Sequence, residues 1–258
     1  MPRMEWFTTA PDAPGLHAIL ALWAVVALSA VFRGFTGFGF AITAVPLLSL
    51  VVSPMRAVAL ATGLQIVGGL VDVRSAARHC HWPSIRSLVC GVTVTSPVGA
   101  LILTWVSADV ARLLVSAACA TAVAALSLGL AFRRMPGAAG TVAMGALAGL
   151  FSGLAAMPGP PAITYYLASP LSPAQVRSSL IVFFLFAAIA AGISLSLTGA
   201  LGRMEMLLAL VGLPIMVAGS ALGAFLFRRL GGAHRRVSLV TLALVALLTA
   251  AKGLAGLL

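Results

Sequence analysis

Apolar stretches of about 17 to 24 residues recur along this chain, and most of its charges fall between them. That length is what one α-helix needs to cross the hydrocarbon core of a bilayer. The runs cover residues 16–32, 37–53, 57–73, 84–106, 110–132, 141–157, 160–169, 177–200, 204–227 and 237–257. They mix Leu, Val, Ala, Ile and Phe without strict alternation, which favours helices over a lipid-facing β-barrel. With 61% hydrophobic and 8% charged residues, and a mean hydropathy of +1.13, the chain reads as an all-α integral membrane protein.

The net charge of +11 would suggest nucleic acid in a soluble protein. Here the basic residues flank the apolar runs, so they read as topology signals and no nucleic-acid partner is expected. Fifteen of them are arginines, which also suit anionic lipid head groups. Cys80, Cys90 and Cys119 have no regular spacing, and "HCH" at His79 to His81 reads as a solvated loop. No metal and no cofactor is expected. The start "MPRMEWFTTAPDAPG" is polar and proline-rich, unlike a signal peptide, and no cleavage is expected.

Two pairs of runs are separated by only a few residues, at "RGFTG" and at the "PGP" of "GLFSGLAAMPGPPAITYYL". Three ordinary runs follow each pair. The chain is therefore laid out as an N-terminal tail (1–15) and two repeats (16–135 and 136–258), each a broken hairpin plus three spanning helices.

Orientation follows from arginines in short loops. The connections 74–86, 133–140 and 228–236 hold Arg74, Arg78, Arg86, Arg133, Arg134, Arg228, Arg229, Arg235 and Arg236, and should face the cytoplasm. The connections 107–109 and 201–203, taken with the helix starts that follow them, offer only Arg112 against Asp109 and Arg203 against Glu205, and should face outside. The link after the first ordinary helix is then inside in one half and outside in the other, so the halves should be inverted, with both termini outside. Inverted repeats with broken helices occur in secondary transporters, whose site lies near the midplane between the repeats.

A broken helix exposes backbone N–H groups at an end that carries partial positive charge, and such ends attract anions. In the first break Gly34, Gly37 and Gly39 permit close approach of a ligand, and Thr36 and Thr43 offer hydroxyls. In the second, Gly153 and Gly159 play that part, with Ser152, Thr164 and Tyr165 nearby. Pro158, Pro160 and Pro161 keep the helix from re-forming. Close helix packing is the competing reading for the glycines, preferred for Gly145 and Gly149. Arg33, placed in the break, is either an anion-binding group or a cytoplasmic charge marker. Asp72 is either a coupling carboxylate or a helix-end partner of Arg74, and Gln65 bonds another helix or faces the pore. Tyr165 and Tyr166 also suit interface anchors.

The two breaks resemble those of the TauE/SafE family of sulfite exporters. The first copy is "GFTGFGFAITAVPLLSLVVSPMRAVALATGL" (34–64) and the second "GLFSGLAAMPGPPAITYYLASPLSPAQVRSSL" (149–180). The family often has a run of glycines in each break, where this chain has "GFGF" and "MPGPP". The resemblance implies export of small sulfur-containing or carboxylated anions, such as sulfite or sulfonates, across a bacterial inner membrane. The expected partners are a small anion and the lipid bilayer, and a homo-oligomer is compatible with the chain. Two other classes compete. An intramembrane phosphatase acting on polyprenyl pyrophosphate would need carboxylates or a histidine at the breaks, which have neither. A structural subunit of a membrane complex would have no use for the breaks.

Overall fold

The computed structural model describes residues 16–36, 39–128 and 135–230, with isolated positions between 244 and 255. Among the described residues the chain forms nine α-helices: α1 (Leu16–Thr36), α2 (Phe40–Val51), α3 (Pro54–Ala76), α4 (Trp82–Trp105), α5 (Ala108–Leu128), α6 (Ala138–Ala155), α7 (Gly159–Leu167), α8 (Pro173–Leu197) and α9 (Arg203–Leu230). They follow the first nine apolar runs. The tenth run, the charged connection 231–236, the N-terminal tail and Arg133 and Arg134 lie outside the described residues, apart from those isolated positions.

Five described helices are long and apolar enough to cross a membrane: Pro54–Ala76, Trp82–Trp105, Ala138–Ala155, Ala174–Leu197 and Arg203–Leu226. Their outer faces carry bare apolar side chains, among them Trp105, Val94 and Leu197, as lipid contact requires. In contrast, α2 with 12 residues and α7 with 9 are about 18 and 14 Å long at helical rise. Neither covers the roughly 30 Å of a hydrocarbon core alone. Each is the short return arm of a broken hairpin, after α1 and α6 respectively.

Helix starts fall earlier than hydropathy suggests. Ser53 and Ser172 each cap the helix that follows a hairpin, accepting from the Arg56 and Gln175 N–H groups, and a proline occupies the first turn of both. Proline fits there because its missing N–H would have had no helical partner. The two Ser-Pro caps occupy matching places in the two halves. Arg112 pairs with Asp109 at 2.6 Å and also donates from Nε to the Ser49 carbonyl at 3.3 Å, tying α5 to the last turn of α2.

Packing is exchanged between the halves. The first arm of each hairpin lies along the second ordinary helix of the other half: α1 on α9, and α6 on α4. Likewise α3 packs on α9 and α8 on α4, while α3 and α8 pack on each other. Small residues make these crossings close. A Cβ on Gly34 would collide with the Ser220 carbonyl and one on Gly223 with that of Val31; across the other crossing, Gly145 abuts Leu88 and Gly153 abuts Ser96 in the same way. Backbone contact of this kind is how membrane helices associate where no hydrophobic force drives them together.

Candidate functional site

Each break contains a residue in left-handed backbone geometry. Gly39 (φ 92°) precedes α2, and Ala156 (φ 53°) ends α6. At Ala156 the helix closes wide: its N–H reaches the Ser152 carbonyl at 2.8 Å, and the Met157 N–H reaches that of Phe151 at 3.0 Å. Pro158 and Gly159 then open α7, whose next two residues are also prolines. The turn is pinned from the first half, because Gln65 on α3 donates from Nε2 to the Ala156 carbonyl at 3.1 Å.

The breaks come together. A Cβ on Gly159 would stand 3.3 Å from Ile42 Cδ1 in the first turn and a half of α2. Between them lies a cavity of about 60 Å³, lined by Arg33, Gly39, Gln65, Met157, Gly159 and Met216 among others. A single water needs roughly 10–15 Å³ of such space, so the cavity has room for a few waters or one small oxyanion. Gln65, Leu185 and Met216, all lining it, fall near the middle of α3, α8 and α9, so the cavity is level with the mid-length of long helices.

The N-terminal ends of α2 and α7, which carry partial positive charge, and the Arg33 guanidinium border the cavity. Arg33 belongs to the last turn of α1 rather than to the break itself, which begins after Thr36. Its side chain is 24% exposed and bonds Asp72 and Ser220.

A second, larger space of about 570 Å³ adjoins the first and is lined by Arg33, Asp72, Ser75, His79, Arg177 and Ser220 among others. Arg33 borders both. Asp72 is paired with it at 2.6 Å across 39 positions of sequence, so its partner is not the neighbouring Arg74. Because two helices are involved, only Asp72 and Arg33 as separate candidates were visible in sequence. Ser220 and Met216 had no sequence signal beyond the small-residue pattern around Gly219.

Other candidates are placed elsewhere. Gly34 borders the larger space but is pressed against α9, and Gly153 lines neither space. Ser152 donates to the Ala187 carbonyl at 3.2 Å, and Thr164 donates to that of Pro160 at 2.8 Å. Tyr165 and Tyr166 are buried inside the protein, bonded to Thr141 at 3.1 Å and Ser84 at 2.9 Å, so they are not lipid-interface anchors. Gly37 and the side chain of Thr36 lie outside the described residues. In the "HCH" loop the His81 ring accepts from the Ser84 N–H as the cap of α4, while the His79 ring approaches the Ser75 carbonyl, so the two rings serve separate bonds.

A short-armed hairpin in each half, and between them a cavity bordered by Arg33 and two helix N-termini, fit a carrier of small anions. The family model described as Sulfite exporter TauE/SafE matches residues 22–249. The chain belongs to this family. It is similar to the probable sulfite/organosulfonate exporter TauE of Cupriavidus necator, 24% identical over 215 residues that cover 81% of this chain and 84% of that protein. No solved structure matches. As a TauE/SafE member the chain is a multi-pass transporter of the bacterial inner membrane, not an enzyme, with a small anionic substrate and membrane lipid as its partners.

Proposed function

We propose that this TauE/SafE member exports sulfite, organosulfonates or short carboxylates of similar size, binding them between the two helix breaks. The observation that carries this reading is the cavity that Arg33 and Gly39, from the first break, share with Gly159, 120 positions later in the second. The partial positive charge of the α2 N-terminus and the planar fork of Arg33 suit the oxygens of a sulfite, sulfonate or carboxylate. The similarity to the probable sulfite/organosulfonate exporter of Cupriavidus necator supports the same substrate class.

Repeats 16–135 and 136–258 would be inverted in the bilayer, and the exchanged packing of α1 on α9 and α6 on α4 supports a pseudo-twofold relation. With 74–86 and 228–236 cytoplasmic, the larger space beside His79 and Arg177 would be the cytoplasmic entrance. Exporters load from that side. The test is efflux of labelled sulfite, methanesulfonate or acetate from proteoliposomes containing the purified protein alone. Efflux that saturates and is inhibited by the unlabelled anion is expected; no efflux above empty vesicles for any of the three anion classes defeats the reading.

A further inference from the structure

The ion pair between Arg33 and Asp72 stands at the boundary of the two spaces. Arg33 lines both, whereas Asp72 lines only the larger one. The wetter side of the pair is the carboxylate, with 42% of its side chain exposed against 24% for the arginine. An arginine keeps its charge at any pH a cell meets, so one facing the inner cavity must have a partner in every state of the carrier. Asp72 is the only carboxylate bonded to it among the described residues.

An anion in the inner cavity would seek the same guanidinium fork, and it would repel the Asp72 carboxylate a few ångströms away. The two claims on Arg33 exclude each other. The carboxylate is also the partner that can be released cheaply, since it faces the larger space and has Arg177 and His79 bordering that space with it. We infer that Asp72 is a built-in competing anion: it holds Arg33 while the inner cavity is empty, and the cargo anion takes Arg33 from it on binding. This rests on the anion-export reading above and adds to it a residue that sets selectivity. A neutral solute has no charge with which to displace a carboxylate, so the pair would turn such solutes away.

The exchange would also reach the helices. Gly34 and Gly223 press α1 onto the α9 backbone, so those two helices are held as a unit, and Arg33 reaches from that unit to α3. Taking Arg33 from Asp72 removes the described ionic tie between the unit and α3. A ligand shifts a conformational equilibrium only through contacts that differ between states, and this tie is such a contact.

The test is Asp72→Asn in the full-length purified protein, titrated with sulfite and separately with methanesulfonate, with Asp72→Ser as a second neutral variant. Both should bind each anion about tenfold more tightly than the wild type, within the usual range of coupling between linked events. Their efflux from proteoliposomes should slow, since nothing reclaims Arg33 when the anion must leave. If the wild type binds and both variants bind equally or more weakly, Asp72 only positions Arg33 and the inference is overturned. Failure of both variants to fold would overturn it too, by making the pair structural. An absence of binding by the wild type would instead remove the anion site itself.

Discussion

Gln65 in the middle of α3 donates its side-chain N–H to the carbonyl of Ala156, 91 positions later, at 3.1 Å. The bond holds the second helix break from the first half of the chain. It also caps a carbonyl that the left-handed turn at Ala156 takes out of the helix ladder, and an uncapped carbonyl at that depth is costly.

Two substitutions at this bond should therefore differ in their effect on stability. Left-handed geometry costs a residue with a Cβ roughly 1–2 kcal/mol, of which glycine's greater freedom in the unfolded chain returns about 0.4–1 kcal/mol. Ala156→Gly is expected to unfold at the same temperature as the wild type or slightly above it. Gln65→Leu leaves the Ala156 carbonyl unpaired and should cost about 1–3 kcal/mol. Thermal unfolding in detergent measures both; a clear drop for Ala156→Gly would count against the turn as described.

Glycines at the breaks should separate into two kinds. At Gly153 the added Cβ meets the backbone carbonyl of Ser96, which has nowhere to go, so Gly153→Ala should sharply reduce the yield of folded protein. At Gly159 the nearest atoms are the ends of Ile163 and Ile42, both at 3.3 Å and both able to turn aside. Gly159→Ala should fold at near wild-type yield and lose anion binding, on the order of tenfold, as the methyl occupies cavity space. Size-exclusion profiles and anion titration read the two effects separately. Equal behaviour of the two variants would mean that both glycines serve packing.

The layout of this chain was legible because lipid leaves few options. Runs of spanning length, two glycine- and proline-rich interruptions and the count of loop arginines led to a paired hairpin-plus-three arrangement, and nine runs appear as helices. The two interruptions come close together, with Gly39 and Gly159 lining one cavity. What a linear pattern does not carry is direction across a helix. Gly34 and Gly153 read like Gly39 and Gly159 in sequence, yet they face neighbouring backbones. The left-handed turn fell on Ala156 instead of a glycine, and Asp72 found its cation on another helix. Ser53 and Ser172 moved helix starts upstream of the hydrophobic runs because capping, not hydropathy, sets the first turn.

Orientation is open to direct measurement. His79 is exposed in the turn after α3, and Gly202 is exposed between α8 and α9. In a cysteine-free background, Gly202→Cys should react with a membrane-impermeant maleimide added to spheroplasts, and His79→Cys should react only after permeabilisation. The reverse pattern would place the larger space on the periplasmic side and turn the proposed loading direction around.

Arg33→Lys separates charge from geometry at the inner cavity. Lysine keeps the positive charge and can still approach Asp72, so folding and orientation should be preserved. It lacks the planar fork that holds two oxygens at once, and a lost charge-assisted hydrogen bond is worth about 1.5–3 kcal/mol. Affinity for sulfite and methanesulfonate should accordingly fall by about tenfold or more. The comparison with Gly159→Ala is informative, because that change narrows the space without touching the charge: bulky sulfonates should suffer more from the glycine substitution, and all oxyanions alike from the lysine. Equilibrium titration of each variant with sulfite, methanesulfonate and a longer-chain sulfonate distinguishes the patterns. Wild-type affinity for all three in Arg33→Lys would show that the guanidinium makes no bidentate contact with the cargo and that the α2 terminus binds it without Arg33.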